Sequence, residues 1–223
     1  MTRVAVVDYG AGNLVSIAQA LSAAGAQVVL ARRPEAFAGV DAVVVPGVGA
    51  AGPAMARLRR HRLDVPILAW VAAGRPLLGI CLGLQLLFEG SDEDGAVTLG
   101  VLPGRTVRLA GAPRLPHIGW NQVERRRPHS LFAGIGEGAD FYFVHSFAAA
   151  LAPEADGLVL AETAHGGRFV SAVSRGALAG VQFHPERSGR DGLRLLANFV
   201  ALAGATAAGH TGLAELSTHV AAG

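Results

Sequence analysis

The sequence predicts an α/β protein with a mostly parallel central sheet, helices on both faces and antiparallel strands added in the second half. Two observations predict this fold class. In the first half of the chain, valine-rich strand segments alternate with segments of helical periodicity, which is typical of parallel strands joined by crossover helices. In the second half, short strand segments follow one another with turn residues and little helix between them, which favours antiparallel pairing.

The first half contains four predicted strands. The first, "RVAVVDY", is a continuous apolar run of the kind that lies buried in a parallel sheet. Pro46 and Gly47 end the third strand, because neither residue continues a buried ladder well. The four strands are residues 3–9, 26–31, 41–47 and 76–80.

Helical segments separate and follow these strands. Residues 14–25 have helical spacing and end at Gly25, a residue type that is common at helix C-termini. Residues 52–73 form a helical region that is interrupted near Val65 and Pro66. Residues 82–90, "LGLQLLFEG", form a short helix after the fourth strand.

The second half adds six predicted strands and a closing helix over residues 189–203. The strands are residues 105–110, 121–126, 141–147, 158–164, 169–176 and 178–183. We interpret residues 1–203 as one domain. Residues 204–223 are rich in small side chains, and we predict that they form a loosely ordered C-terminal tail.

The composition argues against several classes of function. The 223 residues are 51% hydrophobic and 16% charged, as in a globular chain. All 19 basic residues are arginine and the net charge is only +2, so we interpret the "RRR" run as a solvated loop and expect no nucleic-acid partner. No apolar run approaches the roughly 18–20 residues of a membrane span. The single cysteine fits a reducing compartment, and we expect a cytoplasmic protein.

Cys81 lies in "GICLG", between the fourth strand and the helix that follows it. Gly79 and Gly83 flank it at two residues on each side, which is the spacing of a nucleophile elbow. Such a turn places the side chain at a helix N-terminus, where the dipole and free N–H groups favour a thiolate. The N–H of Leu82 is then placed to stabilise an oxyanion. A buried core cysteine is the alternative, and the pattern alone does not decide between the two.

His184 is the strongest candidate for the base that would activate this thiol. Of the eight histidines, His117, His145 and His184 lie in apolar surroundings. His184 directly follows a strand, and Pro185 favours an extended conformation for it. Side chains two apart in an extended segment point to the same side, so Glu186 can orient the imidazole. A lone histidine is more often structural, but "HPE" together with "GICLG" favours catalysis.

A glycine-rich segment offers a second source of oxyanion donors. The segment Pro46-Gly47-Val48-Gly49 follows a buried strand, and its last three residues present backbone N–H groups at the same sheet edge as Cys81. Taken alone, this segment is better explained as an ordinary glycine-rich turn between a strand and a helix. The histidines are too dispersed for a metal site, and we expect neither a metal nor another cofactor.

Together these motifs resemble the class I (triad) glutamine amidotransferases, and among them the glutaminase subunits of imidazole glycerol phosphate synthases. The resemblance covers about residues 3–202 and rests on "VDYGAGNL", "PGVGAAGPAM", "GICLGLQLLF", "LPHIGWN", "FYFVHSF" and "GVQFHPERSG", in that order. "GxCxG" followed by "HPE" is specific for the superfamily. The first, fourth and sixth of these stretches point to the glutaminase group. The resemblance implies a flavodoxin-like three-layer αβα fold.

The resemblance also implies a role for each matching residue. Cys81 is the expected nucleophile on the glutamine amide, and His184, oriented by Glu186, is the expected base and then acid. The implied oxyanion donors are the N–H groups of Val48 and Leu82. The positions that hold glutamine are Gly47, Gly49, Gln85, Ser146 and Phe147, and those on the docking face are Asn13, Trp120 and Arg187. Core packing is the alternative for Trp120.

In this family a thioester forms with glutamate and is hydrolysed by water. The ammonia passes through a tunnel to a (β/α)₈-barrel cyclase subunit, the partner in a heterodimer, which makes imidazole glycerol phosphate for histidine biosynthesis. Two alternatives remain open from the sequence. The same chemistry could serve a different synthase, or the chain could be a catalytically silent binding module on the same fold.

Three positions depart from the usual pattern of the family. Ala51 replaces a bulky aromatic residue, Phe147 replaces an aromatic residue that carries a hydroxyl, and Arg187 stands where lysine is more usual. None of them belongs to the expected triad. Phe147 removes a hydroxyl that could bind glutamine, which leaves the backbone of this residue as the expected contact.

Overall fold

The computed structural model describes the backbone of residues 1–220 and the side chains of residues 1–206. Within these residues it contains twelve strands and five α-helices. The strands are β1 (Arg3–Val7), β2 (Gln27–Ala31), β3 (Ala42–Val45), β4 (Leu77–Ile80), β5 (Gly90–Ser91), β6 (Arg105–Arg108), β7 (His117–Arg125), β8 (Ala139–His145), β9 (Phe147–Ala150), β10 (Val159–His165), β11 (Gly167–Arg175) and β12 (Leu178–Val181). The helices are α1 (Leu14–Ala23), α2 (Ala51–Arg60), α3 (Asp64–Ala72), α4 (Leu82–Gln85) and α5 (Gly189–Val220).

Five parallel strands form the centre of the sheet, in the order β2-β1-β3-β4-β12. Every residue of β3 and β4 is buried, which explains why their sequences are continuous apolar runs rather than alternating ones. This part of the sheet confirms the predicted parallel α/β architecture. Its strand order is that of a flavodoxin-like fold.

Helices cover both faces of the parallel strands and complete three layers. Val4 and Val6 of β1 face a core that contains side chains of α1 and α5. Ala5 and Val7 face the opposite core, which contains side chains of α2, α3 and α4. The alternation along β1 follows from the two-residue period of a strand.

The six strands predicted in the second half all exist and form antiparallel pairs, as predicted, but one of them also forms a parallel pair. β12 is antiparallel to β11 and parallel to β4, with register from Leu178↔Leu77 to Val181↔Ile80. The hairpin at Gly176 returns the chain so that β12 lies between β11 and β4. The carboxyl ends of β4 and β12 are therefore neighbours, and Cys81 and His184 follow these two ends.

The largest differences from the predicted strands lie in the second half of the chain. β7 begins at His117, four residues earlier than the predicted strand at 121–126. The segment predicted as a single strand at 141–147 is divided at Ser146 between β8 and β9, because β8 pairs with β7 whereas β9 pairs with β6 and β11. The short strand β5 was not predicted.

The helical region predicted over 52–73 is two helices, as expected, but they separate at residues 61–63 rather than at Val65 and Pro66. Arg62 has a positive φ of 56° at the break. Pro66 lies in the first turn of α3, where the missing N–H costs little because first-turn N–H groups have no partner within the helix. The helix after Cys81 is shorter than predicted, since α4 is a single turn.

The closing helix α5 begins at Gly189, as predicted, but its backbone continues past the predicted end at residue 203 to Val220. The predicted loosely ordered tail, residues 204–223, falls mostly on residues whose side chains are not described, so its order and the domain boundary at 203 stay predictions. Among the described residues, none of the helices combines the length and hydrophobicity needed to cross a bilayer.

Candidate active site

Cys81 occupies a strained turn between β4 and α4. It has φ 52° and ψ −111°, a conformation that residues with a side chain rarely adopt, and it is buried. A Cβ added to Gly83 would lie 1.7 Å from the carbonyl O of Val45, and one added to Gly79 would lie 2.8 Å from the backbone N of Leu84. Both positions flanking the cysteine therefore require glycine, because any side chain would meet backbone atoms.

The sulfur of Cys81 has polar neighbours from β8 and from the segment that follows β12. Nε2 of Gln182 donates to it at 3.6 Å, and the carbonyl O of Val144 lies 4.0 Å away. Because α4 is a single turn, its dipole is small, so stabilisation of a thiolate depends mainly on neighbouring side chains rather than on the helix.

His184 and Glu186 form a buried pair directly after β12. Nδ1–H of His184 donates to Oε1 of Glu186 at 2.8 Å, and the two side chains are 5% and 2% exposed. His184 itself is extended, and the 3-10 turn Pro185–Arg187 that follows brings the carboxylate back to the imidazole. The predicted orientation of His184 by Glu186 is thus present in the structure.

Burial disfavours a charge on His184, but two other effects outweigh it. The nearby Cys81 sulfur and the Glu186 carboxylate, which is hydrogen-bonded to Nδ1, favour the charged ring and raise the pKa of His184 to about 10. In the described part of the chain, Nε2 of His184 and Oε2 of Glu186 are buried and have no hydrogen-bond partner. The imidazole is therefore protonated at neutral pH, and its Nε2–H remains available for a reacting atom.

Cys81 opens into a cavity of about 300 Å³. The cavity brings together seven of the predicted residues: Val48, Gly49, Cys81, Leu82, Gln85, Ser146 and Phe147. A cavity of this size accepts a small molecule such as an amino acid. Another cavity, of about 280 Å³, is bordered by the start of β12 and by α5 and contains none of the predicted site residues.

A smaller cavity of about 60 Å³ lies beside the imidazole. His184, Glu186, Gly47, Asn13 and Arg187 line it. Val48 and Val144 border both this cavity and the larger one, so they lie between the two. Gly47 is thus the one predicted glutamine-binding residue that does not border the larger cavity.

The segment that carries Gly47 and Val48 is held by Tyr9. The hydroxyl of Tyr9 donates to the carbonyl O of Pro46 at 2.9 Å, and burial raises the pKa of this hydroxyl so that it stays neutral. A Cβ on Gly47 would lie 2.3 Å from that hydroxyl and 3.0 Å from Cβ of Leu82. The close approach of Gly47 to Leu82 keeps the two predicted oxyanion segments side by side.

The three predicted docking residues lie around the smaller cavity and one aromatic ring. The guanidinium of Arg187 lies 4.1 Å from the centroid of the Tyr142 ring, and the ring of Trp120 meets the same ring edge-on at 6.2 Å. Trp120 is 57% exposed, which excludes the core-packing alternative. Asn13 caps α1 by accepting from the backbone N–H of Ser16 at 3.3 Å.

Sequence reasoning missed Gln182, which is fully buried. Its Oε1 accepts from Nε2 of Gln85 at 3.0 Å, and Nε2 of Gln85 also donates to the carbonyl O of Phe147 at 2.8 Å. Gln182 therefore joins the nucleophile to one of the predicted glutamine-binding residues. The sequence could have indicated Gln182 as a site residue. It lies two residues before His184, and side chains at that spacing in an extended segment share one side.

No group of three or more His, Cys, Asp or Glu side chains within the described residues is arranged to hold a metal ion. The site itself offers a thiol on a strained turn, an imidazole paired with a carboxylate, and a cavity at the sulfur. This is the arrangement needed for nucleophilic attack on a carbonyl carbon.

Comparison with known proteins agrees with this geometry. Residues 5–203 match the family Glutamine amidotransferase class-I. The imidazole glycerol phosphate synthase subunit HisH of Symbiobacterium thermophilum is 48% identical over 200 residues, which cover 89% of this chain and 93% of that protein. The subunit HisH of Moorella thermoacetica is 46% identical over 200 residues, with 89% and 94% covered. A crystal structure of a glutamine amidotransferase is similar at a TM-score of 0.70 and 26% identity, over 90% of this chain and 98% of that one. The chain therefore belongs to the class-I glutamine amidotransferase family and, within it, to the HisH group.

Proposed function

We propose that this chain hydrolyses glutamine to glutamate and ammonia through Cys81, His184 and Glu186. In this proposal the ammonia passes to a (β/α)₈-barrel cyclase subunit that makes imidazole glycerol phosphate in L-histidine biosynthesis. The observation that carries the chemistry is the buried His184–Glu186 pair beside a cysteine on a strained turn that opens into a cavity. The 46–48% identity to named synthase subunits carries the assignment to this pathway.

The reaction begins when the Cys81 sulfur, as a thiolate, attacks the side-chain carbonyl carbon of glutamine. The oxyanion that forms accepts hydrogen bonds from the backbone N–H groups of Leu82 and Val48. His184 gives the proton from Nε2 to the amide nitrogen, the C–N bond breaks, and ammonia leaves. The product on the protein is a thioester between Cys81 and the glutamyl group.

Water then attacks the thioester while neutral His184 accepts its proton on Nε2. The C–S bond breaks, glutamate is released, and the thiolate and imidazolium are restored. The pKa of His184, about 10 in the free site, suits this cycle, because the imidazolium is present at neutral pH when the leaving nitrogen needs a proton. Glu186 keeps the second proton of the ring on Nδ1 throughout.

The proposed exit of ammonia is on the side of His184 that faces Asn13 and Arg187. The cavity of about 60 Å³ there is large enough for ammonia and too small for glutamine. Exposed Trp120 and the stacked pair of Arg187 and Tyr142 supply the aromatic and arginine groups that are enriched at protein interfaces. A protein partner on this face would keep the ammonia away from bulk water.

Glutamate release is the experiment that tests the function. It is measured for the chain alone, for the chain with the cyclase subunit of the same organism, and for the complex with its nucleotide ligand. We expect hydrolysis that depends on Cys81 and increases strongly in the complex with ligand. Activity that does not respond to the cyclase would retain the chemistry but point to another synthase. No activity in any mixture would contradict the proposal and favour a silent binding module.

A further inference from the structure

A buried chain of hydrogen bonds runs from β7 to the glutamine cavity and takes no part in the proposed chemistry. Nδ2 of Asn121 lies 3.1 Å from Nε2 of His117, and Nδ1 of His117 lies 3.1 Å from Nε2 of His145. Nδ1 of His145 in turn lies 2.9 Å from the carbonyl O of Phe147. His117 and His145 are only 4% and 6% exposed. Two buried histidines in direct contact need an explanation, because a buried polar group without a partner is costly.

One arrangement of protons satisfies every contact in this chain. The Phe147 carbonyl can only accept, so His145 carries its proton on Nδ1 and a lone pair on Nε2. His117 must then donate from Nδ1, which leaves its Nε2 to accept from the amide of Asn121. The orientation of that amide is fixed independently, because Nδ2 of Asn121 also donates to the carbonyl O of Ala164 at 2.9 Å. Both histidines are thus neutral and in the Nδ1–H tautomer.

Their surroundings keep both rings neutral. Burial is the main effect, and it lowers the pKa of His117 to about 4 and that of His145 to about 3. The hydrogen bond to Phe147 opposes this shift at His145, while electrostatic interactions with His117, His165 and His184 add to it. His165 stacks on His117 at 4.0 Å between ring centroids. A second proton on either ring would bring two N–H groups face to face and break the chain.

The end of the chain at Phe147 is part of the wall of the glutamine cavity. The Phe147 carbonyl accepts a second hydrogen bond, from Nε2 of Gln85 at 2.8 Å, and the Ser146 carbonyl accepts from the backbone N–H of Leu109 at 3.0 Å. Ser146 is the point at which β8 ends and β9 begins. Strand β6 pairs with this segment, with Arg108 opposite Phe147, and the side chains of His145 and Gln85 add two hydrogen bonds to the Phe147 carbonyl.

We propose that His117 and His145 are positioning residues for glutamine, which hold Ser146 and Phe147 in place through a chain of neutral imidazoles. This inference rests on the proposed function, in which glutamine binds in the cavity beside Cys81. Neither histidine reaches the reacting atoms in this scheme. Loss of the chain should therefore weaken glutamine binding much more than it slows the chemical steps.

Two substitutions at position 145 separate this role from a merely structural one. In His145→Asn the side-chain amide places an N–H near the position of Nδ1 and can still donate to Phe147. In His145→Gln the amide lies near the position of Nε2, and that donor is lost. In the complex with the cyclase subunit, we expect about a tenfold higher KM for glutamine in His145→Gln, as for loss of a buried hydrogen bond. We expect at most about a threefold higher KM in His145→Asn, and kcat within about threefold of wild type in both.

Equal KM values for the two variants, or equal losses in kcat and KM, would overturn the proposal. The Tm of each variant shows whether a change in KM follows from general destabilisation. Wild-type hydrolysis is the reference: if wild type does not hydrolyse glutamine, the proposed function fails, and the state of the histidine chain is then decided by a measurement without substrate.

That measurement is NMR of the full chain labelled with ¹⁵N-histidine. Signals of the two rings are assigned by their absence from His117→Gln and His145→Gln. We expect the ¹⁵N shifts of both rings to report the neutral Nδ1–H tautomer at pH 7 and to stay unchanged down to about pH 5.5, given the pKa values above. An Nε2–H tautomer for either ring, or protonation above about pH 6, would contradict the chain.

Discussion

His184 lies between the Glu186 carboxylate and the Cys81 sulfur, and this position decides its charge. The pKa of a free histidine is about 6.5, whereas burial, opposed and outweighed by these two neighbours, leaves the pKa of His184 at about 10. The proton on Nε2 is therefore present before glutamine arrives. Glu186 has two tasks in this arrangement: it holds the ring in one orientation, and it stabilises the positive charge.

Glu186→Gln should reduce kcat for glutamine hydrolysis by about 10²–10⁴-fold, the range of general acid–base catalysis. The amide has the shape of the carboxylate but not its charge, and its N–H can face Nδ1 and favour the wrong tautomer. Glutamate release under saturating glutamine measures the effect. Glu35→Gln, an exposed glutamate on another turn, serves as the matched control and should behave as wild type. A loss smaller than tenfold would contradict the role of Glu186.

The His184–Glu186 pair should make the stability of the folded protein depend on pH. The pKa of His184 is higher in the folded protein than its ordinary value, so its stabilising effect is fully present below about pH 6.5 and is lost as pH rises through about 10. The Tm difference between wild type and Glu186→Gln should therefore be largest near pH 6 and shrink towards pH 10. A Tm difference that grows from pH 6 to pH 10 would contradict a raised pKa of His184 in the folded protein.

At the scale of elements, the unit formed by β4, the turn and α4 holds the nucleophile. Its backbone is so close to β3 that the C–H of Gly83 faces the carbonyl O of Val45 directly. The glycines and the short apolar run of β4 made this unit predictable from sequence. The length of α4 was not predictable, because "LGLQLLF" has helical spacing throughout, and tertiary contacts end the helix after one turn.

Gly83→Ala should destabilise the fold by more than the about 1–3 kcal/mol that is typical of overpacking, because the added methyl would meet backbone rather than a movable side chain. Urea denaturation measures the change in the free energy of unfolding. Gly136→Ala is the matched control, since an added Cβ there meets nothing within 4 Å, and it should stay close to wild type. Equal stability of the two variants would contradict the close approach.

At the scale of the whole molecule, the site exists because two distant parts of the chain meet at one sheet edge. β4 ends at Cys81, and β12, from the second half, pairs beside it and ends just before His184. The motifs around each residue were visible in the sequence. The parallel pairing of β12 was not, since a two-residue alternation gives no direction. Gln182 and the chain from Asn121 to Phe147 were missed for a related reason: they join residues that only the tertiary structure brings together.

The docking face, formed by Asn13, Trp120 and Arg187, is the surface on which we expect the cyclase subunit to bind. Trp120→Ala should weaken binding of the cyclase subunit by about 10–100-fold, as for removal of an exposed aromatic anchor. Isothermal titration calorimetry measures the Kd, and the Tm of the isolated chain should change little because the ring is half exposed. Val65→Ala, an exposed apolar residue on α3, is the control. Unchanged affinity in Trp120→Ala would exclude this face as the interface.

The most direct test of the proposed triad is covalent labelling of the complex with an electrophilic glutamine analogue, followed by peptide mass spectrometry. Because Cys81 is the only cysteine in the chain, the modified peptide identifies the nucleophile without ambiguity. We predict a single adduct on Cys81 that excess glutamine suppresses and that forms much more slowly in His184→Ala. Absence of the adduct, or labelling that glutamine does not suppress, would contradict Cys81 as the nucleophile of a glutamine site.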